Sequence, residues 1–311
     1  MTQPALTTRT IAVYGALRSG TTVLRLMLDA HPQLSCPGET DFIFDHLISE
    51  QPPRYDMAEL EANRIYRAHE ANYPDWPLPT PTPDTFLARI AGEGIGVPVL
   101  HRHLSTALNV YPDLRVVHLV RDPRDVARSS IGMGWAGNVY HGVGHWIETE
   151  RDWQACQSRL APEQSLRVHY EDLIAHPEET LSRICAFAGV AYDPQMLSYA
   201  GASSYDKPDP SLTVQWKRKQ TPQQVGLIEG RIGPLLQAAG YAPSGHPPVV
   251  PGALEQLQLG LENQRGIWRV RLKRYGLADP LILAASRRLG LTSLARRAQR
   301  RMDETALKYL K

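Results

Sequence analysis

The sequence predicts an α/β protein: a three-layer fold with a central, mostly parallel sheet flanked by helices, plus a helical C-terminal extension. Three observations predict it. Short apolar, β-branched runs alternate with helical patterns over the first 240 or so residues, as βαβ units do. The first run ends in a glycine turn that opens a helix. Beyond a proline- and glycine-rich stretch at 243–251, the chain becomes a basic helical pattern.

Thr10–Tyr14 reads as a buried strand ending at Gly15. Val23, Leu24, Leu26, Met27 and Leu28 then mark a largely buried helix that stops near His31-Pro32. Leu34–Cys36 suits a second short strand, and helical patterns cover 40–49 and 57–71. Residues 74–83 (Pro-Asp-Trp-Pro-Leu-Pro-Thr-Pro-Thr-Pro) are a proline-rich, extended connector that cannot be helix or central strand. A strand is expected at 97–100, a helix at 104–110 and a strongly apolar strand at 114–120. Pro123 suits the first turn of the next helix. A long helix follows at 138–159, then a strand at 165–169 and a helix at 178–188. The polar stretch 200–215 is long enough to suggest a functional loop. A helix over 223–239 closes the body. The expected division is therefore a domain over 1–245 and an extension over 253–311, broken at Asp279-Pro280 and near Gly290.

Composition bounds the function. The 311 residues are 42% hydrophobic and 21% charged, an ordinary globular balance. Cys36, Cys156 and Cys185 are too few and scattered for a disulfide framework, and no CxxC pair suggests zinc. The first nine residues lack the apolar core of a signal peptide, and no apolar run approaches the ~20 residues of a membrane span. A cytoplasmic enzyme is the expectation. The net charge of +2 hides an asymmetry: 13 of the 34 Lys+Arg but three of the 32 Asp+Glu fall in 265–311. The tail carries +10 and the rest −8.

The chemistry starts at Gly15-Ala-Leu-Arg-Ser-Gly-Thr-Thr22. Two glycines bracketing four residues before a helix turn backbone N–H groups toward one point, where the helix terminus adds partial positive charge. Ser19, Thr21 and Thr22 add hydroxyls, and Arg18 a charge able to grip oxygens bidentately. The arrangement is P-loop-like, yet Thr21 stands where GxxxxGK[ST] has its lysine, the brace for a triphosphate's outer phosphates. A nucleotide-dependent kinase or NTPase is thereby disfavoured. Alone, the turn also fits a plain strand–helix junction.

Arg18-Ser-Gly-Thr-Thr22 with Leu-Met-Leu-Asp-Ala-His-Pro resembles the 5′-phosphosulfate loop of sulfotransferases that use 3′-phosphoadenosine-5′-phosphosulfate (PAPS). It is most similar to tyrosylprotein sulfotransferases and bacterial members of that broad family. The family's 3′-phosphate element is a strand followed by Arg and, eight residues on, Ser. His118-Leu-Val-Arg121 through Ser129 has that spacing. A helix-capping salt bridge at Arg121-Asp122 is the plainer alternative. Arg167-Val-His-Tyr170-Glu-Asp-Leu173 matches a third family segment, and places Tyr170 either at the adenine end or in packing. The resemblance covers about 10–241 and leaves out the basic tail.

The resemblance implies sulfuryl transfer from PAPS to a hydroxyl. Because a cytoplasmic chain without a membrane anchor is expected, the acceptor is expected to be a small molecule, glycan or lipid and not the protein tyrosine of the tyrosylprotein enzymes. PAP (3′-phosphoadenosine-5′-phosphate) is released and no metal is required. Arg18 would act at the reacting group. Arg18, Ser19, Gly20, Thr21, Thr22, Arg121, Ser129, Tyr170 and Lys217 would hold the nucleotide. In the tyrosylprotein-type enzymes a glutamate follows the loop, and an ungapped count places that general base on Glu39, in Cys36-Pro-Gly-Glu39-Thr. Its plainer alternative is a helix N-terminal acid. Cytosolic members use a histidine base, which keeps His101, His103, His141 and His145 open. The family's leaving-group lysine is missing from Val99-Leu-His-Arg-His103, where Arg102 or His101 could substitute. Ser203, Ser204 and Ser211 are weaker candidates than Lys217 for closing over the nucleotide.

The tail's arginines among leucines suit body packing, a solvated face or an anionic membrane surface. Its few aromatics argue against nucleic acid. A non-catalytic nucleotide- or membrane-binding protein of the same fold is the remaining alternative.

Overall fold

The computed structural model describes residues 9–69, 73, 80–201 and 209–307. Most of the proline-rich connector lies outside them. The described residues form two compact units that interleave along the chain. The first holds residues up to 122, 145–215 and 237–241; the second holds 123–144, 216–236 and those from 242 onward.

The first unit is built on four parallel strands: β1 (Ile11–Tyr14), β2 (Val99–Leu100), β3 (Arg115–Val120) and β4 (Ser165–His169). Their order is β2-β1-β3-β4. Val13 pairs with Val99, Tyr14 with His118, and Val120 with His169. Alternation along each strand sorts side chains to two faces. Ile11, Val13, Val117, Leu119 and Val168 pack with Leu24, Met27 and Leu28 of the helix Thr21–Asp29 and with Leu181 and Ile184 of the helix Pro177–Ala188. Ala12, Tyr14 and Val116 pack on the other side with Phe42, Phe86, Leu104 and Trp153. The sheet is buried on both faces, which is why its strands read as continuous apolar runs.

The structure departs from the sequence expectations where local hydrogen bonding or proline overrides periodicity. Only Phe42–Asp45 is helical within 40–49; Leu47–Glu50 pairs antiparallel with Pro53–Tyr55, because Pro52 and Pro53 stop a helix and favour extended backbone before them. The pattern at 57–71 gives two helices, Met57–Ala62 and Arg64–Ala68. Asn63 is extended between them, its side chain accepting from the Ile65 and Tyr66 N–H groups at 2.9 and 3.2 Å. The expected helix at 138–159 divides into Val139–Gly142 and Gly144–Gln157. That at 223–239 ends at Ile232, before Gly233 with φ 59°, and resumes at Leu235–Ala238. In the tail the first break falls at Gly276, φ 74°, and Pro280 sits inside the first turn of Ala278–Arg288, where its missing N–H needs no partner. The break near Gly290 stands where expected, before Thr292–Leu307.

In the second unit, Arg124 on the helix Pro123–Met133 is buried against Glu229 on the helix Pro222–Ile232, Nη1 to Oε1 2.8 Å. The guanidinium lies 3.8 Å from the Trp216 ring centre, and Glu229 also accepts from the Ser244 N–H at 3.0 Å. Removing one partner of such a pair leaves a buried charge uncompensated. Glu229→Ala should therefore lower the unfolding free energy by about 3–5 kcal/mol in urea titrations. A loss below about 1 kcal/mol would mean that the pair is as weak as a surface one. The tail helices Ala278–Arg288 and Thr292–Leu307 enclose a small cluster of Leu283, Ala298 and Met302. Among the described residues no helix is long and apolar enough to cross a membrane.

Candidate active site

β1 delivers the chain to Gly15, whose N–H donates to Leu100 O at 3.1 Å. A Cβ at Gly15 would stand 2.4 Å from Leu119 O on β3, so only glycine lets the turn leave the sheet here. Arg18 (φ 73°) and Gly20 (φ 92°) are both left-handed, and Ser19 N–H donates to Ala16 O at 3.0 Å. A left-handed arginine is uncommon, and such conformations cluster at functional sites. The helix that starts at Thr21 has no side-chain cap and no acid in its first turn. Its leading N–H groups and partial positive charge are open to an anion. Ser19 is fully buried, and its Oγ has no hydrogen-bond partner.

Arg121, just past β3, reaches this turn. Its Nη1 donates to Arg18 O at 3.1 Å and its Nη2 to Leu212 O at 3.0 Å, while its Nε is buried without a partner. Its guanidinium lies 4.3 Å from the centre of the Tyr170 ring. Tyr170 is buried at the end of β4 and covers Gly20 so closely that a Cβ there would be 2.2 Å from the ring. Glu171 fixes this junction, accepting from the Asp122 N–H at 3.1 Å and from the Tyr241 hydroxyl at 2.8 Å. Burial holds the Glu171 carboxyl above its ordinary range. The turn, Arg121 and Tyr170, read from three separate stretches of sequence, thus come together at the C-terminal ends of three strands, where open α/β sheets bind ligands.

Glu39 pairs across to Val99, and Thr40 N–H donates to Val99 O at 2.9 Å, so β2 carries the segment to the same edge. The Glu39 side chain is 42% exposed, with Oε1 3.7 Å from His101 Nε2. His101 Nδ1 donates to Gly15 O at 2.7 Å. His69 Nε2 donates to the Glu39 carbonyl at 3.2 Å. The His101 contact, opposed by burial, holds the Glu39 carboxyl below its usual value. Beside it, Arg102 makes two hydrogen bonds of 2.6 Å to Asp45, and His103 Nε2 lies 3.0 Å from the same carboxylate. Burial works to raise the Asp45 pKa, but His103 and Arg102 bring it to about 2. Arg102 is thus already engaged.

Leu17, Tyr14, His101 and His103, with His145 and Glu148 of the helix Gly144–Gln157, line a cavity of about 290 Å³. A larger cleft of about 490 Å³ at Glu50, Leu108 and Arg159 contains none of these motifs, and we assign it no chemistry.

Ser129 is half-buried on the helix Pro123–Met133, in the second unit. Lys217 is exposed in that unit, its ammonium 5.5 Å from the Trp216 ring centre. His141 is also there, bonded to Asn138. Ser211 is engaged with Asp209, and Ser203 and Ser204 lie outside the described residues. Asp41 was missed by the sequence reading. Its Oδ1 accepts from the His101 N–H at 2.8 Å and the Arg102 N–H at 3.3 Å, and its place two residues after Glu39 was the available signal.

The model of the sulfotransferase family matches residues 10–194, the stretch that carries this geometry. The chain belongs to the sulfotransferase family. The matched span holds the turn, Glu39, His101, Arg121, Ser129 and Tyr170, and stops before Lys217 and the basic helices. Protein-tyrosine sulfotransferase 1 of Danio rerio is 27% identical over 312 residues, covering 90% of this chain and 78% of that one. A putative protein-tyrosine sulfotransferase of Caenorhabditis briggsae is 31% identical, covering 61% and 68%. Two solved sulfotransferase domains share the fold. That of the Synechococcus PCC 7002 olefin synthase has a TM-score of 0.56 at 22% identity, covering 71% of this chain and 93% of its own. That of the curacin biosynthetic pathway has a TM-score of 0.57 at 20% identity, covering 75% and 97%. This sulfotransferase therefore catalyses sulfuryl transfer, and its phosphate-type turn is read in that light.

Proposed function

We propose that this sulfotransferase takes its sulfuryl group from PAPS and passes it to a hydroxyl of a small-molecule, glycan or lipid acceptor, with Glu39 as general base. The observation that carries the reading is the meeting of Ser19 Oγ and Arg121 Nε, both buried without partners, with the open helix start at Thr21. Buried polar atoms are normally satisfied, so two at one anion-type turn fit a phosphate-bearing ligand. When bound, the phosphosulfate supplies an SO3 group on a phosphate leaving group. Arg18, Ser19, Gly20, Thr21 and Thr22 would hold its 5′ end and supply donors where negative charge develops. Arg121 would take the 3′-phosphate and Tyr170 would bound the nucleotide; the parts proposed for Ser129 at that phosphate and for Lys217 over the nucleotide rest on the sequence resemblance alone. Glu39, held ionised at neutral pH, would accept the hydroxyl proton. Of the two residues that could stand for the family's lysine, Arg102 is held by Asp45 and the His101 Nδ1–H by Gly15 O, so neither is given that role. The cavity of about 290 Å³ beside Leu17 is at the small end for ligand sites and suits a small acceptor or one end of a larger one. No divalent metal is required on this reading, so EDTA should leave the rate unchanged.

The test is transfer of labelled sulfate from PAPS to a panel of phenol, sugar, lipid alcohol and tyrosine peptide. Product on any of the first three supports the proposal. Product on the peptide alone would align the acceptor with the tyrosine-directed relatives. Turnover of ATP in place of PAPS would overturn the donor. We further place the enzyme in the cytoplasm, since Cys36, Cys156 and Cys185 are buried and free, and at the membrane periphery through its basic helices. Cosedimentation with anionic vesicles that deletion of 265–311 does not weaken would contradict the second placement.

A further inference from the structure

His101 is built into the site at three points besides its side-chain contact with Glu39. Its N–H donates to Asp41 Oδ1 at 2.8 Å, its carbonyl accepts from Thr149 Oγ1 at 3.0 Å, and its Nδ1 lies 2.7 Å from Gly15 O. A carbonyl only accepts, so Nδ1 carries a hydrogen and Nε2 is the atom left to gain or lose a proton. That Nε2 is buried, has no hydrogen-bond partner and faces Glu39 Oε1 at 3.7 Å. With both atoms bare, two lone pairs oppose each other. A proton held between them removes that repulsion.

We propose that Glu39 and His101 form one proton-accepting pair, in which Glu39 takes the acceptor's hydroxyl proton and His101 Nε2 draws it on. The phosphate-binding turn, through Gly15, then sets the orientation of the base. This rests on the assignment of Glu39 as base. In the step, the acceptor O–H bond breaks as its oxygen bonds to sulfur. The bridging S–O bond breaks with its electron pair leaving on the phosphate, and the proton ends as an imidazolium beside the Glu39 carboxylate.

The surroundings agree. Burial works to lower the His101 pKa, but Glu39, Asp41 and Gly15 O together leave it raised. The same contact lowers Glu39, which Arg64 and Arg25 also favour as carboxylate, so the shared proton belongs on the imidazole. Arg102 is tied to Asp45 and Asp41, His103 to Asp45, and His69 to the Glu39 carbonyl. His145, Glu148 and Asp152 line the same cavity as His101 from the helix Gly144–Gln157. Below the raised His101 pKa the imidazolium is already formed and His101 cannot draw the proton on from Glu39; above it, His101 can. A lone carboxylate base with a lowered pKa would instead give a flat rate from about pH 5 to 8.

The test is an NMR titration of the histidine Cε1–H resonances of the full chain with PAP present, in the native protein and in Glu39→Gln. Glu39 is partly exposed, so the variant should fold, which far-UV circular dichroism checks. The His101 midpoint is expected above about 6.5 in the native protein and lower by about one pH unit or more in Glu39→Gln. An identical midpoint in the two proteins, or no titration between about pH 5 and 9, would overturn the pair. An active Glu39→Ala enzyme would sink the base assignment itself. An inactive one with an unmoved His101 would sink the pairing alone.

Discussion

Glutamine at position 39 should lower kcat by about 10²–10⁴-fold while leaving affinity for PAP within about twofold. The expected size follows from losing general-base help to a hydroxyl whose own proton is far from ionising at neutral pH. The expected selectivity follows from placement. Among the described residues, Glu39 is linked to the turn through His101, by the Nε2 contact of 3.7 Å and the Nδ1 bond to Gly15 O, and it makes no hydrogen bond to Ser19 or Arg121. The substitution keeps the shape and removes the charge. Steady-state kinetics beside PAP calorimetry separates the two effects. Unchanged kcat would remove the base, and affinity lost in step with kcat would make Glu39 part of the nucleotide grip.

The second large effect is at Gly20. Alanine there must hold φ near 92°, a left-handed backbone that costs a side chain roughly 1–2 kcal/mol. Its Cβ would also stand 2.2 Å from the Tyr170 ring. Tyr170 is buried, with the Arg121 guanidinium 4.3 Å from its ring centre, so it has no free direction in which to yield. Either the ring leaves Arg121 or the turn opens, and both changes spread the donors that face the anion. PAP affinity should fall at least about tenfold, which is about 1.4 kcal/mol of binding. Native affinity in Gly20→Ala would show that the turn tolerates a side chain and that its tight geometry is not what holds the nucleotide.

The turn was legible in the sequence because two glycines bracketing four residues after an apolar run mark a strand–helix junction, and the hydroxyls and arginine within it suit an anion. The four strands were legible for a related reason: a parallel sheet buried on both faces leaves continuous β-branched runs such as Ile11–Tyr14 and Arg115–Val120. What periodicity could not show was punctuation by side-chain hydrogen bonds. Asn63 divides one helical pattern by capping, and Gly276 ends the tail's first helix ahead of the expected break at Asp279-Pro280. The link from Gly15 to His101 was beyond reach for another reason. It joins residues 86 apart, and it exists because β2 lies beside β1 in the sheet. Asp41 was hidden in the same way, since it acts by accepting backbone N–H groups on a distant segment, which leaves no mark in local spacing. Nor does composition tell that 123–144 and 216–236 fold with the C-terminal helices.

The central claim is that the Gly15–Thr22 turn, with Arg121, is a site for a phosphoadenosine nucleotide and not for a triphosphate. Isothermal titration of the full chain with PAP, and separately with ATP plus Mg²⁺, tests it directly. Saturable one-site binding of PAP, at least about tenfold tighter than ATP–Mg²⁺, is the predicted result. Tighter binding of ATP–Mg²⁺, or no heat with PAP, would contradict the account.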